Sequence, residues 1–193
     1  MTAQIILAST SVFRRALLEK LDLEFSTDSP DIDESPIDGE TAEQLVFRLS
    51  ESKAACIAAK HSQGLVIGSD QVACIDGEIL GKPGNFDNAM QQLLKASGKS
   101  VDFYTGLCLF NAQSGQKQTL VDVFKVHFRN LSDEQISRYL KKEEPYNCAG
   151  SFKSEGYGIS LFERLEGDDP NALIGLPLIK LIQLFENEGV LIP

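Results

Sequence analysis

The sequence that decides the fold is Gln4-Ile5-Ile6-Leu7-Ala8, followed directly by Ser9-Thr10-Ser11-Val12-Phe13-Arg14-Arg15. The apolar run predicts a buried strand, and after the Ser/Thr turn we expect a helix from about Val12 to Leu21. The next predicted elements are a strand over 24–27, a helix over 41–60, and two separate strands over 65–68 and 72–75. Strands that alternate with helices in this way indicate an α/β protein.

The second half of the chain makes the predicted sheet mixed rather than purely parallel, because hairpins replace the crossovers. Asp76-Gly77 is a strong hairpin signal that returns the chain through 78–80. Capping boxes at 41–44 and 132–135 each start a helix. The other expected elements are a helix over 87–96 ended by Gly98, strands over 101–110 and 119–128 around Ser114-Gly115, a helix that stops before Pro145, a strand over 158–165, and a last helix from Pro177 to Gly189.

The composition limits the classes of partner. The 193 residues carry a net charge of −10, which disfavours a nucleic-acid partner because phosphate backbones are bound by clustered Lys and Arg. We expect no membrane association, since no apolar run reaches the length of a span. The four cysteines lie far apart in the sequence, so we expect them to be reduced, packed thiols. Reduced thiols are typical of the cytoplasm, which is therefore the expected location. The oligomeric state is not fixed by the sequence, and a homodimer is left open.

Ser9 and Arg14 flank the predicted start of the first helix. Free backbone N–H groups there suit an anion, and a cation in the first turn opposes the helix dipole. For Ser9 and Arg14 we therefore favour binding of a phosphate group. For Arg15 this role and a simple ion pair with Glu19 are about equally supported.

Two further residues each have two interpretations. Lys53 falls within the apolar stripe of the second helix, so its ammonium must reach water or meet a buried anion. Phe13 shares a helix face with Leu17 and Leu21, and its spacing alone favours core packing.

Asp70 follows the predicted strand over 65–68, and a carboxylate at the carboxyl end of a strand lies where α/β proteins bind ligands. The Asp76-Gly77 hairpin returns Lys82 to the level of Gln71 and Asp70. A two-residue loop would place Lys82 and Asp70 on opposite faces, and a three-residue loop would place them on one face. The acidic loop over 28–39 could supply an oxygen ligand to Mg²⁺, although its spacing does not choose among its acids.

Several motifs in order resemble the Maf family of nucleotide pyrophosphatases. They are ILASTSVFRR (6–15), the loop with Glu34, SESKA (50–54), IGSDQV (67–72), GKP (81–83), CAGSFKSEG (148–156) and LIGLPL (173–178). The resemblance extends from residue 5 to about 184. The forms GSDQV and CAGSFKSEG are similar to the branch of the family whose implied substrate is 7-methyl-GTP.

The resemblance implies a Maf/ITPase-like α/β fold, with an elongated mixed sheet flanked by helices and a cleft between two lobes, in one catalytic domain over 1–193. It also implies hydrolysis of a nucleoside triphosphate to a monophosphate and diphosphate, with a divalent metal such as Mg²⁺ or Mn²⁺. The implied base is Asp70. The implied phosphate ligands are Ser9, Arg14, Lys53 and Lys82, the implied metal ligands are Glu34 and Asp70, and the implied substrate-selecting residues are Phe13, Gln71 and Glu155.

Two departures from the usual family pattern bear on the substrate. Ser-Pro-Arg-Arg is replaced by Ser11-Val12-Phe13-Arg14, and Asp-Lys-Ala-Gly is replaced by Asn147-Cys148-Ala149-Gly150. Both count against a dTTP/UTP pyrophosphatase of the same family more than against the reaction class. The alternative from another class is a non-catalytic nucleotide-binding regulator of cell division.

Overall fold

The computed structural model describes residues 4–193. Its helices and strands alternate along the first half of the chain and form hairpins later, as the sequence predicts. In chain order they are β1 (Ile5–Ala8), α1 (Val12–Glu19), β2 (Phe25–Asp28), α2 (Ala42–Ala58), β3 (Leu65–Ile75), β4 (Glu78–Leu80), α3 (Phe86–Ala96), β5 (Ser100–Asn111), β6 (Lys117–Phe128), α4 (Asp133–Glu143), β7 (Phe162–Glu166), α5 (Pro170–Ile174) and α6 (Leu178–Asn187).

The strands belong to one seven-stranded mixed sheet in the order β2-β1-β3-β5-β6-β7, with β4 paired to β3. β1 runs parallel to both β2 and β3. The β3–β4 and β6–β7 pairs are antiparallel. The predicted mixed α/β fold is therefore confirmed.

The contacts divide the chain into two compact units. Unit 1 contains residues up to 70, with 105–122 and 171–193, and unit 2 contains 71–104 and 123–170. The prediction of one catalytic domain over 1–193 stays a prediction.

In unit 1, helix α2 packs directly on the backbone of two strands because glycine occupies both contact points. A Cβ on Gly68 of β3 would lie 2.1 Å from the Ser50 carbonyl oxygen, and one on Gly106 of β5 would lie 2.1 Å from that of Val46. Any larger residue would push the helix away. This close approach brings the Lys53 side of α2 against β3.

Unit 2 has a core of aromatic rings around the segment that follows Gly150. Phe152 makes edge-to-face contacts with Phe103, Phe128 and Phe162, with ring centroids 4.7–5.7 Å apart. Gly150 has φ +71°, and a Cβ there would lie 2.8 Å from Phe103 Cζ. The rings and the glycine together anchor the start of the loop that carries Glu155.

The predicted helix starts and turns are largely confirmed. Both capping boxes form, at Thr41–Gln44 and Ser132–Gln135. Asp76 and Gly77, with φ +52° and +82°, make a two-residue hairpin loop, so the three-residue alternative is excluded. The alternation of faces does not extend to Lys82, because β4 ends at Leu80 and Lys82 lies beyond the paired residues. None of the helices in the described part of the chain has the length and apolar character needed to cross a membrane.

Two predictions of secondary structure were wrong, and one helix was not predicted. The strands over 65–68 and 72–75 are one strand, so Asp70 lies inside β3 rather than after a strand. The polar pair Ser69-Asp70 is typical of a turn in sequence, which is why two strands were expected. In the structure both side chains are buried and have partners within unit 1. The strand expected over 158–165 begins as a 3₁₀ turn, Tyr157–Leu161, and α5 was not predicted.

Candidate active site

The centre of the candidate site in unit 1 is a buried ion pair between α2 and β3. Lys53 Nζ lies 2.7 Å from Asp70 Oδ1 and 3.0 Å from Glu34 Oε1. The Lys53 and Asp70 side chains are only 7% and 10% exposed, whereas that of Glu34 is 56% exposed. Of the two interpretations of Lys53, the structure supports the buried anion, since the ammonium reaches Asp70 rather than solvent.

Arg14 is held next to this pair by the backbone of Gly175. Its Nε donates to the Gly175 carbonyl oxygen at 2.8 Å, and the Ser69 hydroxyl donates to the same oxygen at 2.9 Å. Gly175 has φ +121°, a conformation that other residues rarely adopt. Burial lowers the pKa of the Arg14 guanidinium, while Asp70 and Glu34 act in the opposite direction. The positive charge of the guanidinium therefore interacts with both carboxylates.

The start of α1 is organised by two serines. Ser9, only 7% exposed, accepts from the Ser11 N–H at 3.1 Å, and the Ser11 hydroxyl caps the helix by accepting from the Arg14 N–H at 3.4 Å. The first turn contains no acidic residue. An anion is therefore favoured at this end of α1.

Arg15 and Phe13 have less decisive surroundings. Arg15 forms an exposed ion pair with Glu19 at 3.0 Å, which favours the simple surface interpretation. Phe13 is half-buried, while Leu17 on the same face belongs to the core. A role for Phe13 in base recognition stays a prediction.

The acidic loop is tied to α2 by an ion pair that the sequence analysis missed. Arg48 Nε and Nη2 each donate to Glu40 at 2.7 Å, and Nη2 also donates to the Ser35 carbonyl oxygen at 3.1 Å. The hydrogen bonds from Arg48 lower the pKa of Glu40 to about 2. Glu40 precedes the N-cap residue Thr41 and is not part of α2, so the three- or four-residue spacing of helical pairs does not predict its contact with Arg48. The tether restricts the segment that carries Glu34.

The other predicted site residues lie in unit 2. Gln71 is half-buried in β3, while Lys82 and Glu155 are exposed on loops. Burial raises the pKa of the Cys148 thiol; Lys153 and, less strongly, Lys82 oppose that rise, and Glu155 and Glu143 add to it. Lys82 and Glu155 both lie in unit 2.

The loop with Glu155 is fastened to α4 by residues that the sequence analysis also missed. Glu143 accepts from Lys153 Nζ at 3.2 Å and from the Tyr157 N–H at 2.8 Å. The Tyr139 hydroxyl accepts from the Lys153 N–H at 3.1 Å. A Cβ on Gly156 would lie 2.7 Å from Glu143, so glycine permits this contact. The contacts fix both ends of a short loop around Glu155.

A divalent metal can be tested against the donors that are present. Within residues 4–193 there is no group of three or more His, Cys, Asp or Glu side chains arranged to hold a metal. Asp70 and Glu34 do converge on one ammonium. Mg²⁺ commonly takes one or two carboxylates and completes its shell with water and substrate phosphates. The donors therefore fit a metal that arrives with a phosphate ligand, and do not fit an all-protein cage.

Taken together, the mixed sheet and the buried carboxylate flanked by cations define an α/β protein with a site suited to a phosphate compound. The chain belongs to the Maf family, since the model of the family described as "Maf-like protein" matches residues 4–188. It is 61% identical over 188 residues to "7-methyl-GTP pyrophosphatase" of Vibrio cholerae serotype O1, covering 97% of this chain and 96% of that protein.

A solved structure supports the fold independently. The Staphylococcus aureus Ham1 protein superposes with a TM-score of 0.53 at 16% identity, covering 96% of this chain and 99% of the other. At this identity the likeness shows the fold alone. It agrees with the sequence-based expectation of a mixed α/β fold of the Maf/ITPase-like kind.

Proposed function

We propose that this protein is a nucleoside triphosphate pyrophosphatase that hydrolyses 7-methyl-GTP to 7-methyl-GMP and diphosphate. The observation that carries the proposal is the buried Lys53–Asp70 pair, with Glu34 on the same ammonium. It occurs in a Maf-family chain that is 61% identical to a 7-methyl-GTP pyrophosphatase. A buried carboxylate surrounded by cations combines a proton acceptor with charges that attract a polyphosphate.

In the proposed reaction, Asp70 orients a water molecule and takes one of its protons. The water oxygen forms a bond to the α-phosphorus, and the bond from that phosphorus to the oxygen bridging to the β-phosphorus breaks. Diphosphate carries away the electron pair of the broken bond. Lys53 fixes Asp70 through Oδ1, so the carboxylate is held in one orientation for proton transfer. A positioned base of this kind contributes about 10²–10⁴-fold to the rate.

The cations are proposed to stabilise the negative charge that develops on the phosphate oxygens. Arg14 presents a planar guanidinium that is already fixed by Gly175, and Lys82 supplies a more mobile charge. Ser9 lies where the backbone N–H groups of α1 begin. A divalent metal such as Mg²⁺ or Mn²⁺, held by Glu34 and Asp70, would supply further positive charge to the phosphates.

Recognition of the nucleobase is proposed to depend on Phe13, Gln71 and Glu155. The 7-methylguanine ring is cationic, so stacking on Phe13 gains a cation–π contribution of about 0.5–2 kcal/mol. Glu155 accepts hydrogen bonds from the N–H edge of guanine and offsets the ring charge. Gln71 adds a neutral hydrogen bond. Phe13 is half-buried and Glu155 is exposed, so both can reach a ligand.

The test is a panel of 7-methyl-GTP, GTP, dTTP and UTP in the presence of Mg²⁺ or Mn²⁺, with diphosphate release as the measurement. We expect the highest kcat/KM for 7-methyl-GTP. Preferential hydrolysis of dTTP or UTP would replace the proposed substrate with those of the other branch. Tight nucleotide binding without turnover would instead support a regulator.

A cytoplasmic location is part of this proposal. All four cysteines are free thiols, which suits a reducing compartment.

A further inference from the structure

Unit 2 contains a cavity of about 270 Å³ whose lining is positively charged. Arg129 directly follows β6, Arg138 and Lys142 lie on α4, and Tyr157 lines the cavity from the 3₁₀ turn. No carboxylate is among the residues that line it, in a protein with a net charge of −10. A local excess of positive charge in such an acidic chain requires a physical explanation.

The ion pairs of the described residues show how unusual these cations are. Most lysines and arginines of the chain lie within ion-pair distance of an acidic residue. The cations outside those pairs in residues 4–193 are Arg14, Lys20, Lys82, Arg129, Arg138, Lys141 and Lys142. Arg14 and Lys82 are already assigned to phosphate binding. Arg129, Arg138 and Lys142 are a second group of cations outside these ion pairs, and all three line one cavity.

Two of these side chains, Arg129 and Lys142, contact groups that are not acidic, whereas Arg138 contributes to lowering the pKa of Glu134. Arg129 Nη1 donates to the Ser160 carbonyl oxygen at 3.1 Å. The Lys142 ammonium lies 5.1 Å from the centre of the Tyr157 ring. Both contacts hold the positive charge at the cavity without neutralising it. A cation fixed in this way can bind an anion with less loss of side-chain entropy.

We propose that this cavity is a second binding site, for a compact anion with one or two phosphate groups. Three convergent cations match the several oxygens of a phosphate or a diphosphate. The volume lies just below the range of pockets for drug-sized ligands, which favours a small anion over a whole nucleoside triphosphate. The two products of the proposed reaction, diphosphate and a nucleoside monophosphate, share this chemistry, and to that extent the choice of ligand rests on the proposed function.

The cavity also has a structural connection to the loop with Glu155. Tyr157 lines the cavity through its ring, and its backbone N–H is bound by Glu143, the residue next to Lys142. An anion that draws Lys142 away from the Tyr157 ring would act on the turn that ends this loop.

The experiment is a titration of the full-length ¹⁵N-labelled protein with sodium diphosphate at constant ionic strength, followed by amide NMR. Parallel titrations use 7-methyl-GMP and orthophosphate. We expect the signals of Leu131, Tyr157 and Ser160 to shift and saturate with a curve separate from that of Ser9 and Lys53. The ligand that saturates the cavity signals at the lowest concentration identifies which product binds there.

Arg138→Gln is the test variant, because Arg138 is exposed and belongs to no part of the proposed catalytic machinery. It should weaken diphosphate binding at the cavity about tenfold, the effect of losing one hydrogen bond to a charged group. Lys141→Gln, a neighbouring charge change outside the cavity lining, is the matched control and should bind as the wild type does.

Three results would overturn the proposal: cavity signals that never saturate, equal shifts with chloride, or equal weakening in Arg138→Gln and Lys141→Gln. Diphosphate release from 7-methyl-GTP is measured on the same samples. Hydrolysis at the wild-type rate by a variant that has lost cavity binding would separate this site from the proposed active site. Absent hydrolysis with intact cavity binding would contradict only the proposed function.

Discussion

The two units hold their candidate functional residues in different ways. In unit 1 the key charges are buried on regular elements, with Lys53 on α2 and Asp70 inside β3 in direct contact. In unit 2 Lys82 and Glu155 are exposed on loops, and the loop of Glu155 is fastened by Glu143 and Tyr139. Buried groups on rigid elements suit a reaction that needs fixed geometry, whereas surface loops tolerate changes that alter the choice of substrate.

Burial of an ion pair is not by itself a sign of catalysis, and unit 1 contains a second pair that shows this. Asp122 has a side chain only 3% exposed and lies 2.8 Å from Lys180. The Lys53–Asp70 pair differs in two respects. Glu34 also pairs with the Lys53 ammonium, and the Arg14 guanidinium interacts electrostatically with the Asp70 carboxylate. The difference between the two pairs can be tested directly.

The largest effect is expected for Asp70→Asn. The amide keeps the shape of the side chain but cannot take a proton from water, so turnover of 7-methyl-GTP should fall about 10²–10⁴-fold. The measurement is diphosphate release under single-turnover conditions. Asp122→Asn is the matched control, and it should lower the melting temperature while leaving turnover of the folded protein unchanged. Near-wild-type turnover by Asp70→Asn would contradict the proposal that Asp70 is the proton acceptor.

Lys53→Met should have the next largest effect. Methionine fills the same space but leaves Asp70 buried without its cation, which costs about 3–5 kcal/mol of stability. We expect turnover to fall about 10²-fold, measured below the melting temperature. Lys60→Met removes an exposed pair with Asp28 just beyond the end of α2 and should change both quantities little. Equal behaviour of the two variants would show that Lys53 is only structural.

The sequence predicts the fold better than it predicts the surroundings of the site. Capping boxes, the Asp76-Gly77 loop and the apolar strands are local signals, and the structure confirms them. The position of Lys53 indicates a candidate site residue, because the ammonium of a lysine in an apolar stripe must reach either water or an anion. The burial of Ser69 and Asp70 inside β3 was not predictable locally, since their partners are Gly175 and Lys53.

The supporting contacts were harder to predict for the same reason. Arg48 lies inside α2 and contacts Glu40, which precedes the cap of the helix. Glu143 contacts Lys153 and Tyr157, which lie ten or more residues further along the chain. Such pairs leave no periodic pattern in one sequence. The roles of Phe13, Gln71 and Glu155 came from the family resemblance rather than from spacing, and they stay predictions.

Glu155→Gln tests the part assigned to unit 2. Loss of the negative charge should lower kcat/KM for 7-methyl-GTP about ten- to a hundredfold, because hydrogen bonds from a cationic ring to a carboxylate are strong. Unmethylated GTP lacks the ring charge and should lose only a few-fold. Glu163→Gln, an exposed change on β7, is the control. Equal losses for the two nucleotides would contradict a role for Glu155 in recognising the methylated base.

The smallest effect is expected for Glu40→Gln, which weakens the tether between the acidic loop and α2. Arg48 lowers the pKa of Glu40 from 4.5 to about 2, so the carboxylate loses its proton more readily in the folded protein. The resulting stabilisation is fully present above pH 4.5 and is lost as the pH falls towards 2.

The melting temperatures of wild type and Glu40→Gln should therefore differ by a constant amount between pH 5 and 7 and converge below pH 4.5. Turnover at pH 7 should fall no more than about fivefold, since the variant weakens one partly buried ion pair and moves Glu34 only indirectly. Asp38→Asn is an exposed control in the same loop. A difference that widens as the pH falls would mean that the Arg48 pair is not what stabilises the loop. A loss of turnover as large as that of Lys53→Met would place Glu40 in the catalytic centre itself.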